Sequence, residues 1–453
     1  MRKRFITAIL SIIIILSFSC NVFAENENEK KPNTDEPKEI LFAKSPHAIL
    51  LDIKTGAVIY EKNSDEKVYP AGLTKIMTAV LVLENCNIEQ LMTADETALS
   101  NVKAGDSKIG IINGERLSVR QLLYTMLLAS ASDAANVLAE QTSGSIEKFV
   151  ALMNERAKEL GMENTNFTNP TGEHDERHYT TARDMAKLAR YAMSIGEFCE
   201  IVKTESYNIP PTEKSDTARK ITNRNHFVSK LLRSDYYYKY ATGLGTGYTP
   251  EAKSCIAASA QNKGMNLLSL VFEAETEDNV AQSFTDCKNM FDFVFGNFTS
   301  QSVAKQNDIV AQTQIINTRR EKKLILRAET ALDVIVDKEG AKAEITYKDT
   351  LPQKISAPVK ENQKIGMREY FLNGVSIGTL NLIADKNYNL DPITFVVNKM
   401  IAFVTSPWMF VFIAALIFML VMAERRRRRI LRKKRREARA KRNKELMKEI
   451  ESK

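Results

Sequence analysis

The chain is poor in the residues that build metal and redox centres. Only 4 histidines occur in 453 residues. His47 abuts a strand-like run, His174 and His178 fall in a polar loop, and His226 is isolated. None has the spacing of a metal-ligand set, so neither a metal nor a cofactor is expected. Of the 5 cysteines, Cys86, Cys199, Cys255 and Cys287 are widely separated and form no Cys-x-x-Cys pair. Their spacing leaves disulfides open in an exported chain, and buried free thiols are the expectation. Basic charge is missing from the body. The net charge is +8, yet residues 425–453 hold 16 Lys/Arg against 4 Glu, which leaves −4 for residues 1–424. Without Arg2, Lys3 and Arg4, residues 25–424 carry −7. A mildly acidic body removes the basic pI as an argument for nucleic acid, which is not expected as a partner.

Long uncharged runs occur at the two ends. Arg2-Lys3-Arg4 precedes an apolar run from Phe5 to Phe18, and Val22-Phe23-Ala24 offers a cleavage site. Residues 1–24 are therefore expected to be a secretory signal peptide, followed by a polar linker over 25–40. Lipid attachment at Cys20 fits less well, because Ser17 and Phe18 suit the attachment box poorly. Near the other end, Met400 to Ala423 is 24 residues without a charge, bounded by Lys399 and Glu424. That length spans a hydrocarbon core of about 30 Å. Arg425 to Arg429 follow at once, which predicts a single-pass protein at the cell membrane. Its body would lie outside, and its basic tail over 424–453 would be cytoplasmic, in contact with anionic lipid.

Between these ends, His47–Asp52 and Ala57–Tyr60 flank Lys54-Thr55-Gly56 and predict a β-hairpin. Residues 73–85 are apolar on more than one face and predict a buried helix. Helical patterns recur at 119–141, 145–160 and 181–195, with strand-like runs at 254–260 and 266–273. Strands at both ends of a helical middle argue for a sheet covered by helices. After Asn297 the texture changes, and residues 308–385 predict a small all-β domain. No internal repeat is present.

Short catalytic patterns by themselves carry little weight. Ser100…Lys103, Ser145…Lys148 and Ser302…Lys305 read as solvated surface, and Lys54-Thr55-Gly56 as the hairpin turn. Longer stretches are more telling. They are Tyr69-Pro70-Ala71-Gly72-Leu73-Thr74-Lys75-Ile76-Met77-Thr78, Leu127-Leu128-Ala129-Ser130-Ala131-Ser132-Asp133, Tyr240-Ala241-Thr242-Gly243-Leu244-Gly245-Thr246-Gly247-Tyr248-Thr249 and Asn169-Pro170-Thr171-Gly172. Over residues 40–385 the chain resembles the D-alanyl-D-alanine carboxypeptidases, the serine-type low-molecular-mass penicillin-binding proteins. The resemblance implies a penicillin-binding/β-lactamase-like α/β domain over 41–298, followed by the all-β domain.

The reactive side chains of that family are the ones missing. Its Ser-x-x-Lys pair shares one helix face, so that the amine can take the proton of the attacking hydroxyl. Here Gly72 stands at the serine and Lys75 at the lysine. Ser130 matches the serine that relays protons, but Ser132 stands at the asparagine. Gly245 replaces the lysine that would hold the substrate's terminal carboxylate, ahead of Thr246 and Gly247. Thr74 lies about 100° around the helix from Lys75, so the two cannot meet, and Thr78 lies a turn further on. The resemblance therefore implies peptidoglycan metabolism, with a D-Ala-D-Ala stem peptide or an envelope protein as partner. A pseudoenzyme is the first expectation. The alternatives are a carboxypeptidase using Ser130 as a non-standard nucleophile, and a structural protein with a collapsed cleft.

Overall fold

The computed structural model describes residues 43–451, apart from 104, 278–279, 339–344 and 373. The expected signal peptide and most of the linker lie outside the described residues. The first domain is built on a five-stranded sheet of β1 (His47–Asp52), β2 (Val58–Lys62), β3 (Ala241–Thr249), β4 (Lys253–Asn262) and β5 (Met265–Ala274). Strand order is β2-β1-β5-β4-β3, antiparallel throughout. The β1–β2 hairpin forms as expected. Asp52 accepts from the Thr55 hydroxyl and from the Lys54 and Thr55 amides, and Gly56 turns the chain at φ 77°.

Every residue of β1 is buried, because helices cover both faces of the sheet. The period of two in β5 divides the load. Leu268, Leu270 and Phe272 enter the main core, whereas Ser269 donates to Cys287 at 3.2 Å on the opposite side. The helices that matter for the site are α1 (Lys75–Asn85), α2 (Val119–Ala129), α3 (Ser132–Ser143), α4 (Ala182–Ala192) and α5 (Gln282–Asn297), the last of which carries Cys287. Helix α1 is the central one, with Lys75 through Val82 all buried.

The expected helical pattern over 119–141 is two helices. A capping box of Ser118 and Gln121 starts α2, and Ser130, in the left-handed region at φ 55°, ends it. Ala131 is extended, and α3 restarts at Ser132. Strand β3 was not anticipated, since its glycines and threonines lack an apolar alternation; it gains its order by pairing with β4.

The second domain is all-β, as expected. Phe298–Ala304 pairs with Leu332–Asp337, and a six-stranded sheet joins Ile345–Thr350, Lys364–Leu372, Val375–Ala384, Lys323–Ala328, Ile309–Ile316 and Lys354–Ser356 in that order. It has its own core, including Leu324, Leu326, Val334, Val336 and Leu382. The apolar run over 400–423 is not one helix. Pro392–Val404 ends at Thr405-Ser406, and Pro407–Glu451 begins anew. Pro407 has no amide hydrogen to continue the first helix and suits the first turn of the second. The helix from Pro407 is long and apolar enough to cross a membrane.

Candidate active site

Three segments meet at an open cleft of about 520 Å³: the turn that begins α1, the break between α2 and α3, and the edge strand β3. Gly72, Lys75, Ser130, Ser132, Thr246 and Gly247 all line it. Gly245 lines a small adjoining pocket together with Gly72, Lys75, Ser130 and Thr246. The fold thus gathers all seven residues singled out in sequence, and the cleft is not collapsed.

Gly72 lies in a 3-10 turn, Ala71–Thr74, immediately before α1. A Cβ at Gly72 would lie 3.0 Å from the Ser130 Oγ, 3.0 Å from the Thr246 carbonyl oxygen and 3.3 Å from the Gly247 Cα. The turn is held from below by Gly172, at φ 81°, where a Cβ would meet the Ala71 carbonyl oxygen at 1.7 Å. Gly247 approaches from the other side, with room for no Cβ, which would stand 2.5 Å from the Gly72 nitrogen. By contrast, a Cβ at Gly245 would meet nothing within 4 Å.

Lys75 is buried at 5 % exposure, and its Nζ donates to the Thr171 carbonyl at 2.7 Å. It makes no hydrogen bond to Ser130 among the described residues. Burial pushes its amine down to about 8, opposed by the charges of Asp106 and Asp133 and assisted by Arg224. The neighbouring hydroxyls are engaged elsewhere. Thr78 donates to the Pro170 carbonyl at 2.7 Å, and Thr74 pairs with His178 Nε2 at 2.9 Å.

His178 departs from its reading as a polar-loop residue, being 2 % exposed beneath the turn. The Thr168 amide donates to its Nδ1 at 3.1 Å, so the ring proton belongs on Nε2, facing Thr74. Burial drives its pKa down to about 4 and keeps it neutral. His226 is not isolated either. It lines the cleft, stacks on Tyr236 with ring centroids 5.8 Å apart, and packs at a tilt against Phe284 at 5.4 Å. The four cysteines of the folded body are free, and burial pushes the Cys255 and Cys287 thiols up to about 12.

Two cleft residues were not legible in the sequence. Arg224 lines the cleft, donates through Nη1 to Ser107 Oγ at 2.5 Å and through its amide to the Leu128 carbonyl at 2.9 Å. Asp106 lies on the facing loop. Asp133 carries that loop, accepting the amides of Ile109, Gly110 and Ile111 at 3.0–3.1 Å. Neither residue belongs to a recognisable spacing, and only the loop's return to α3 brings Asp106 near Lys75. Glu173 also lines the cleft and is paired with Lys103. The lining thus mixes Lys75 and Arg224 with Asp106 and Glu173, and has no side chain at position 72 to attack a carbonyl.

Residues 31–276 match the family model for D-alanyl-D-alanine carboxypeptidase, and residues 298–389 match that for the C-terminal domain of penicillin-binding protein 5. The D-alanyl-D-alanine carboxypeptidase DacF of Bacillus subtilis is 33% identical over 370 residues, covering 80% of this chain and 89% of that protein. DacC of Escherichia coli is 30% identical over 382 residues, covering 82% and 88%. Among solved structures, penicillin binding protein 5 from Haemophilus influenzae superposes with a TM-score of 0.63 at 26% identity, over 77% of this chain and 98% of that one.

Proposed function

Since the chain belongs to the D-alanyl-D-alanine carboxypeptidase family, we propose that it acts in peptidoglycan metabolism by binding stem peptides or scaffolding, without hydrolysing them. The observation that carries this reading is Gly72. A Cβ there would stand 3.0 Å from Ser130 Oγ and from the Thr246 carbonyl oxygen, at the position that the resemblance assigns to the family's serine. No acyl-enzyme can form on a glycine, and losing the nucleophile of a cooperating set lowers the rate by about a millionfold.

The rest of the cleft still suits a peptide. It is open, it keeps Ser130 and Thr246 as hydrogen-bonding groups, and the exposed Arg224 supplies a cation for a terminal carboxylate in the absence of a lysine at 245. The apolar helix beginning at Pro407 fits a membrane anchor. Its flanking arginines support an orientation with the body outside the cell membrane and the tail inside. Ser130 as an alternative nucleophile is less well supported, because among the described residues the Lys75 amine makes no hydrogen bond to it and donates to the Thr171 carbonyl instead.

The test is covalent labelling of the full chain, in lipid nanodiscs, with a fluorescent penicillin beside a catalytically active relative. A folded protein that takes no label supports the proposal. Stoichiometric labelling overturns it, and mapping the adduct to Ser130 would establish the alternative.

A further inference from the structure

A second cavity, about 600 Å³ in volume, opens between the β1–β2 hairpin and α4. It shares no lining residue with the cleft at Gly72. The strand order puts the two at opposite edges of the sheet, the hairpin at one and β3 at the other. Its accessible apolar lining is Ile53, Val58, Leu160, Tyr191 and Met193, with the buried Ile49, Leu51 and Ala186 behind it. Its charged lining is entirely basic: Lys54, Arg183, Lys187 and Arg190. A volume of this size with an apolar floor and a few fixed polar groups is typical of small-molecule sites.

Three of these cations are already neutralised. Lys54 pairs with Asp333 at 3.3 Å, Lys187 with Asp184 at 2.9 Å, and Arg183 with Asp65 at 2.8 Å and also with Glu61. Arg190 is different. Its Nε donates to the Ile53 carbonyl at 2.8 Å and its Nη2 to the Lys54 carbonyl at 3.0 Å. Gly56 lies flat beneath it, where a Cβ would come within 2.8 Å of Nη1. The guanidinium is therefore held in one place by neutral acceptors. Among the described residues no carboxylate pairs with it, and Nη1 has no acceptor. A fixed, unneutralised guanidinium at the mouth of an apolar groove is preorganised for an oxyanion.

We propose that this groove binds an anionic amphiphile, with an acyl chain along Ile53, Val58, Leu160 and Met193 and a phosphate head on Arg190. A phosphate head suits the site because it offers several oxygens to the unpaired Nη1 of Arg190 and no acid lines the groove. The site is independent of whether the other cleft binds wall peptide.

The experiment uses the full chain in phosphatidylcholine nanodiscs and a photoreactive dodecyl phosphate, with adducts mapped by mass spectrometry. Adducts should concentrate at residues 49–58 and 183–194. They should fall with excess dodecyl phosphate and persist with equal inorganic phosphate or dodecanol. Arg190→Gln should lower labelling about tenfold, and so should Val58→Glu, at a half-exposed position where the fold tolerates a charge. Arg190→Lys, which keeps the charge without the fork, should recover part of it. Unchanged thermal melts identify variants that remain folded. Adducts scattered outside the groove, labelling indifferent to both Arg190→Gln and Val58→Glu, or equal competition by dodecanol would each overturn the proposal.

Discussion

Gly72 faces Ser130 so closely that a Cβ on the glycine would stand 3.0 Å from the serine hydroxyl oxygen. The two residues come from different helices and are brought together because α2 ends in a left-handed residue at Ser130 itself. On the reading proposed above, one member of a reactive pair is missing here.

Restoring that member is the most direct prediction. Gly72→Ser should give a protein that takes a covalent penicillin label where the parent takes none. The contacts at 3.0 Å are tight, so a loss of about 1 kcal/mol in stability is expected with it. Labelling should be faster in the double variant Gly72→Ser, Gly245→Lys, because position 245 has space for the new side chain. A folded Gly72→Ser protein that stays unlabelled would show that Ser132 or the environment of Lys75 also blocks acylation.

Arg224 should matter to ligand binding and little to folding, because it is exposed and meets no carboxylate partner among the described residues. Arg224→Gln is expected to weaken binding of a D-Ala-D-Ala peptide about tenfold, the loss of one charged hydrogen bond. A peptide amidated at its C-terminus should lose the same amount against the parent and nothing further against the variant. Calorimetric titration of the four combinations measures this coupling.

The turn before α1 depends on Gly172. Alanine there would need a positive φ and would drive a Cβ to 1.7 Å from the Ala71 carbonyl oxygen. Gly172→Ala should lower stability by about 3 kcal/mol or more, seen as a shifted urea midpoint. Gly144→Ala, also at positive φ but with open space around the Cβ, should cost about 1 kcal/mol.

His178 makes stability depend on pH with a defined sign. Its folded pKa, about 4, lies below the ordinary value of 6.5, so between these values the unfolded chain binds more protons. Stability should therefore fall as pH drops from about 6.5 toward 4, by up to roughly 3 kcal/mol, and this contribution should level off below 4. His178→Gln should flatten the slope between pH 6.5 and 5, above most carboxylate titrations, even though it lowers stability at pH 7. Equal slopes for the two proteins would contradict the buried neutral imidazole.

Much of this protein is decided by local sequence. The β1–β2 hairpin follows from two apolar runs around Asp52-Ile53-Lys54-Thr55-Gly56, where the Asp52 side chain and Gly56 shape the turn locally. The buried α1 follows from apolar residues on more than one of its faces. The degenerate motifs were legible because each lies in a long stretch of otherwise family-like residues. Tertiary structure decided the rest. The β3 strand has no apolar alternation, and only pairing with β4 makes it a strand. Nothing local distinguishes His178 from a solvated loop residue. It is buried because the loop carrying Thr168, Thr171 and Gly172 closes under the turn before α1. Arg224 and Asp106 enter the cleft because backbone hydrogen bonds to Leu128 and the amides held by Asp133 fix their loops. Local propensity acts over a few neighbours. The cleft is assembled from residues up to 212 positions apart, from Gly72 to Phe284, and their meeting depends on the packing of the whole domain.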